Sequence, residues 1–207
     1  DTYGREKGEY PMSQQQSAPI KGVINNVLSQ GQSEALTKRN ISLDTVKKYG
    51  VTSKVNKHIY PYFDKDSCHV ANKVRQTDPK NFFTEGDLSS GQLFGQHLFP
   101  PSSAKYITLS EGEIDAMSVF EMNGSKFPSV SIKSGAASAV RDCKTQMEYL
   151  NSFENIIICF DNDEAGRKAS AKVAELFEPN KAKIVKLDFK DANEYLKIGK
   201  REEFTRA

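Results

Sequence analysis

The residues that could do chemistry are acids, and they lie in the second half of the chain. Glu111, Glu113 and Asp115 fall close together, Asp161 and Asp163 form a pair further on, and Asp191 follows. Carboxylates gathered in one place repel, and their charged forms are costly without a compensating cation. Hard divalent ions such as Mg²⁺ supply that compensation, taking one or two carboxylates together with waters and substrate phosphates. The chemistry such a cluster suits is phosphoryl or nucleotidyl transfer. One ion lowers the pKa of an attacking hydroxyl and another neutralises charge on the leaving group. Taken singly, each acid also has a plainer use: Asp163 could cap the helix beginning near Ala165, and Glu111 could do likewise.

Acids up to 80 residues apart meet only if the fold carries them to one edge. From Lys105 onward the sequence alternates short apolar strands with helical stretches. Strands are expected at 106–109, 128–132, 156–160 and 183–187, and helices at 114–122, 136–150, 165–177 and 192–196. The run Ile156-Ile157-Ile158-Cys159-Phe160 is apolar throughout, as expected of a strand covered on both faces. The alternation implies a mostly parallel α/β sheet. Glu111, Asp161, Asp163 and Asp191 then all follow strand ends, where ligands bind in open α/β sheets. The small residues of Ser134-Gly135-Ala136-Ala137-Ser138 follow the second strand. They could let backbone N–H groups approach a phosphate at a helix start, or merely allow tight packing of helix on strand.

The first half differs. Residues 19–100 hold 11 Lys and Arg against 7 Asp and Glu, whereas residues 101–207 hold 16 against 17. A mild basic excess alone does not identify a nucleic-acid binder. Ser33 to Gly50 suggests two short helices, the second capped by Ser42 and stopped by Gly50. The stretch 58–77 suggests a β-hairpin turning at Asp64-Lys65-Asp66-Ser67, with Lys73 and Arg75 on the same side of its return strand. The first 18 residues read as a polar linker. Cys68, Cys143 and Cys159 are far apart, which excludes a zinc ribbon and argues against a disulfide framework. His58, His69 and His97 lie at no ligand spacing from one another. No apolar run approaches the ~20 residues of a membrane span. The chain begins at Asp1, so a fragment of a longer protein is expected.

Three stretches carry a family resemblance. Ser110-Glu111-Gly112-Glu113-Ile114-Asp115 matches the E-G-x-x-D signature of the Toprim fold, shared by primases, type IA and type II topoisomerases and some nucleases. Phe160-Asp161-Asn162-Asp163-Glu164-Ala165-Gly166 resembles the D-x-D-x-A-G form of bacterial DnaG-type and phage primases, and Lys190-Asp191-Ala192-Asn193-Glu194 the K-D-x-[DN]-E motif that follows. Together, in this order, they are most similar to the bifunctional primase–helicases of short-tailed phages of the T-seven type. The similarity extends over nearly all of the chain after residue 18.

The resemblance implies a Toprim domain at 101–199, with a mostly parallel sheet flanked by helices, and a smaller mixed α+β N-terminal subdomain at 19–100. Residues 1–18 and 200–207 would be linkers. It implies a DNA primase core that makes RNA primers on single-stranded DNA from ribonucleoside triphosphates, using two Mg²⁺ ions for which Mn²⁺ can substitute. Glu111, Asp161, Asp163 and Asp191 would hold the metal, with Glu111 a base or a ligand, and Asp115 would support them. Lys73 and Arg75 would act on nucleotide phosphates or template, and Arg39, Lys80, Ser134 and Gly135 would bind nucleotide or DNA. For the basic residues, a solvated face is the competing reading. Implied partners are zinc-binding and helicase domains of the same polypeptide and a replicative DNA polymerase, in the cytoplasm of an infected bacterium, with no membrane. Two rivals stand beside this reading: a strand-cleaving Toprim nuclease or topoisomerase, and a non-catalytic DNA-binding module such as that of Twinkle-type helicases.

Overall fold

A computed structural model describes residues 28–206; the expected linker at 1–18 lies outside the described residues. Two four-stranded sheets organise the chain. Ahead of the first comes a 3-10 turn at Thr37–Arg39 and helix α1 at Leu43–Lys48, whose N-cap Ser42 accepts from the Thr45 N–H at 3.3 Å. Gly50 adopts φ 68°, a left-handed conformation glycine reaches without strain, and the chain turns there into the sheet. Strands β1 (Thr52–Lys54), β2 (Lys57–Phe63), β3 (His69–Thr77) and β4 (Lys80–Gly86) then run antiparallel in sequence order. The β2–β3 hairpin has the expected position. The sequence reading stopped short of β1 and β4, because neither shows a strong period-two alternation.

The second sheet contains β5 (Tyr106–Ser110), β6 (Ser129–Ser131), β7 (Asn155–Cys159) and β8 (Ala182–Ile184), all parallel, in the order β6-β5-β7-β8. Helix α2 (Glu113–Met122) links β5 to β6, and α5 (Glu164–Ala174) links β7 to β8. The helix expected at 136–150 is instead a 3-10 turn at Ala136–Ser138, α3 (Ala139–Thr145) and α4 (Met147–Asn151), broken at Gln146. Gln146 there receives a hydrogen bond from the Gln96 side chain at 2.8 Å. After α6 (Ala192–Lys197) comes α7 (Arg201–Phe204), where a linker was expected. Phe204 is buried and packs edge-on against Tyr195, so this segment belongs to the domain.

One hydrophobic cluster runs through both sheets. Tyr49 stacks on Phe94 at 5.3 Å and its hydroxyl donates to the Ser129 carbonyl at 2.7 Å. Phe94 and Ser131 exchange both backbone hydrogen bonds, at 3.0 and 3.2 Å, which fastens the connecting segment to the edge of β6. The antiparallel sheet is thereby held against the carboxyl ends of β5 and β6. Among the described residues no helix is long and apolar enough to cross a membrane.

Candidate active site

A cleft of 650 Å³ lies between the two sheets. Its floor is the carboxyl edge of the parallel sheet. Glu111 follows β5, and its carboxylate accepts from the Ala136 N–H at 3.2 Å and the Asp161 N–H at 3.4 Å. The ends of β5 and β7 and the loop after β6 therefore meet at one side chain. Asp191 caps α6 by accepting from the Glu194 N–H at 3.0 Å, and Asp163 caps α5 by accepting from the Gly166 N–H at 2.8 Å. Capping and clustering thus coexist: one carboxylate oxygen satisfies a helix terminus while the charge still acts on its neighbours. Glu111, Asp115, Asp161 and Asp191 line the cleft. Asp163 sits just outside, exposed at the start of α5.

Gly166 explains the small-residue motif after the acid pair. A Cβ there would lie 2.1 Å from the Asp161 carbonyl oxygen, so only glycine lets α5 begin this close to the acid loop.

The acids feel one another. Burial, then the charges of Glu111, Asp191 and Asp163, push Asp161 up to about 7, and Lys190 opposes them. Burial, then Asp191 and Asp161, hold Asp115 well above the ordinary carboxylate range, although it accepts from the Asn193 N–H at 3.2 Å. Such a field is short of positive charge, and its oxygen donors suit Mg²⁺. Among the described residues no three His, Cys, Asp or Glu side chains converge tightly enough to hold an ion by themselves.

The facing wall is one face of the antiparallel sheet. Cross-strand register aligns Tyr60, Lys73 and Thr84 in one row and His58, Arg75 and Phe82 in the next. Arg75 and Lys80 line the cleft with no carboxylate within ion-pair distance among the described residues. Lys73 lines it too but is engaged: its ammonium lies 2.8 Å from Glu113 and donates to the Lys133 carbonyl at 2.9 Å. The same Glu113 oxygen accepts from the Tyr62 hydroxyl at 2.6 Å. Arg39 reaches the cleft from the 3-10 turn and donates to Asn193 Oδ1 at 3.2 Å. Asn193 is fully buried and donates in turn to the Arg39 carbonyl and to Ser118 Oγ.

The structure therefore gathers Arg39, Lys73, Arg75, Lys80, Glu111, Asp115, Asp161 and Asp191 around one space, with Ser134 and Gly135 at its margin. At that margin the Ala136 N–H, one of the donors considered for phosphate, is engaged by Glu111. Sequence reasoning grouped Glu113 with the acids but did not foresee its bond to Lys73, and it assigned no role to Asn193 or Phe82. Glu113 and Asn193 stand inside the matched motifs, which was the available signal. Phe82 belongs to the strand the reading did not see.

Comparison with known proteins places this arrangement. The family described as Toprim-like matches residues 108–196. The DNA helicase/primase of Enterobacteria phage T3 is 42% identical over 170 residues, which cover 80% of this chain and 30% of that protein. The primase fragment of the bacteriophage T7 primase–helicase superposes with a TM-score of 0.79 at 35% identity, over 91% of this chain and 82% of that one. The chain belongs to the family of the T7-type phage primase domain. Primase domains in a complex with the bacteriophage T7 lagging-strand DNA polymerase, bound to an RNA/DNA hybrid and dTTP, match at 39% identity and a TM-score of 0.78, over 85% of this chain and 90% of that one. Within the family, the sequence corresponds to the primase portion, and it spans under a third of the length of the phage T3 relative. The α/β Toprim architecture with its added antiparallel sheet is that of the T7 primase fragment.

Proposed function

We propose that this primase-family chain is a catalytic core that joins ribonucleotides along a single-stranded DNA template by Mg²⁺-assisted nucleotidyl transfer. The observation that carries the reading is the cleft itself: an acidic rim short of positive charge faces a wall with two cations that have no carboxylate partner among the described residues, across one space. A triphosphate beside a template strand brings the complementary charges to both sides.

In this reading Asp161 and Asp191, with Asp163 reaching in from just outside the cleft, would hold divalent ions, which would neutralise the triphosphate and acidify the attacking hydroxyl. Asp115 supports them. Arg75 and Lys80 hold phosphates of the nucleotide or template, and Arg39, set by Asn193, closes the same end. Lys73 is a positioning residue, fixed by Glu113. Glu111 takes the proton from the 3′-hydroxyl of one nucleotide as its oxygen bonds to the α-phosphorus of the next. The bond to the β-phosphate oxygen breaks and pyrophosphate leaves with its electron pair. Positioning and charge neutralisation supply most of the rate. The T7 primase domains in a complex with an RNA/DNA hybrid support the choice of template, and the helicase/primase description of the phage T3 relative supports a fused helicase in the full-length protein.

The test supplies ribonucleotides, Mg²⁺ or Mn²⁺, a DNA template and a short oligonucleotide to bypass template recognition. The chain is expected to extend the oligonucleotide, and Asp161→Ala with Asp163→Ala is expected to lower the rate by ~10²-fold or more. Extension by the double variant at the parent rate refutes the metal assignment. Template cleavage without ribonucleotide incorporation would identify a nuclease instead.

A further inference from the structure

Phe82 is a large apolar side chain left 44% exposed in the cleft, and it belongs to neither hydrophobic cluster of the fold. Single exposed hydrophobics need no explanation; the surroundings of this one do. Three cations flank its ring, with Lys73 Nζ at 5.5 Å, the Arg75 guanidinium carbon at 5.7 Å and Lys80 Nζ at 5.9 Å from the centroid. Of these, only Lys73 has a carboxylate partner among the described residues. The Arg75 Nε is buried without a hydrogen-bond partner. The ring face attracts each cation, but the like charges gathered over it repel one another, and an anion joining them relieves that repulsion. A ligand with both a flat apolar face and phosphates answers both needs: its base covers the ring and its phosphates take the cations.

We infer that the ring of Phe82 is a stacking platform for a base of single-stranded DNA, flanked by Arg75 and Lys80 as phosphate contacts. The inference rests on the proposed function and deepens it. A strand, rather than a free mononucleotide, fits because β4 is an edge strand exposed from Lys80 to Thr84, so the platform opens onto a track leading out of the cleft. A basic track with aromatic platforms is the general solution for holding a single strand without reading its sequence.

The chain contains no tryptophan, so Phe82→Trp installs a single indole reporter. Its fluorescence is expected to be quenched by oligo(dT) and to change little with the same concentration of ATP and Mg²⁺. Phe82→Ala is expected to weaken binding of dye-labelled oligo(dT) by about 5- to 150-fold, and Phe82→Tyr to restore it. The slope of log K against log salt concentration stays unchanged in Phe82→Ala, because a neutral ring displaces no counterions. In Lys80→Ala it becomes shallower by ~0.7. Unchanged affinity of Phe82→Ala overturns the inference, as does an unquenched indole at saturating DNA, or equal quenching by ATP. If the parent chain extends an oligonucleotide while the indole ignores DNA, only the platform fails. If DNA quenches the indole but the parent chain makes no primer, the primase reading fails and the platform stands.

Discussion

The two walls of the cleft are built by opposite means. On the acidic side backbone N–H groups hold Glu111 (Ala136 and Asp161), Asp115 (Asn193), Asp163 (Gly166) and Asp191 (Glu194). On the basic side Lys73 has one backbone tether, the Lys133 carbonyl, and the wall otherwise relies on side chains or is free. Lys73 depends on Glu113, and Arg75 and Lys80 have no ionic partner among the described residues. Like charges must be forced together by rigid attachments, whereas cations awaiting a mobile polymer gain from being free to follow it. One wall is a fixed constellation and the other an adaptable surface.

The strongest challenge to that contrast is the residue where the walls touch. Glu113→Ala leaves the Lys73 ammonium and the Tyr62 hydroxyl without their buried partner, and it is expected to cost about 3–5 kcal/mol in urea unfolding. A cost near zero would mean that the basic wall stands independently of the acidic one. Next is Gly166→Ala. The added methyl meets the Asp161 carbonyl and must push α5 away, an overpacking of ~1–3 kcal/mol accompanied by loss of primer extension. Asp163 then separates backbone attachment from charge. Asp163→Ala is expected to lose about 1 kcal/mol of stability as its cap disappears, while Asp163→Asn keeps the cap and the stability but not the activity. If both variants unfold alike, the cap is not what holds the acid.

A separate, pH-dependent effect concerns His97, which lies 4.0 Å from the Phe63 ring at the end of β2. Burial, then the positive fields of His69 and Lys48, lower its pKa to about 4. The folded state therefore favours neutral imidazole, and the unfolded state binds the extra proton between pH 6.5 and 4. Stability should hold above pH 6.5, decline through that window and level off below it. His97→Phe should flatten this component of the pH–stability curve.

The difference between the walls also governs what could be read from sequence. The parallel sheet was legible because apolar strands alternate with helices, and its acids could be placed because strand ends are marked by the strands themselves. The hairpin and the shared side of Lys73 and Arg75 were legible from period-two spacing. β4 was not, because Asn81, Phe82, Phe83 and Thr84 are all exposed and burial imposes no alternation on them. The break at Gln146 was illegible because its bond comes from Gln96, 50 residues away. Phe204 was too isolated to announce a helix. The Glu113–Lys73 pair escaped because Glu113 was grouped with the acids and Lys73 was read as a phosphate or template contact or a solvated charge, and only the packing of one sheet on the other brings them together.

Asn193 carries a mechanical consequence. It ties α6 to the backbone of Arg39, while Glu113 on α2 is bridged to Lys73 on β3. Prising the jaws apart would break both sets of polar bonds, at roughly 1–3 kcal/mol for each buried group left bare. The opening behaves as a slot of set width. If the proposed function holds, a strand seated there would advance by sliding along the open edge rather than by the protein gaping.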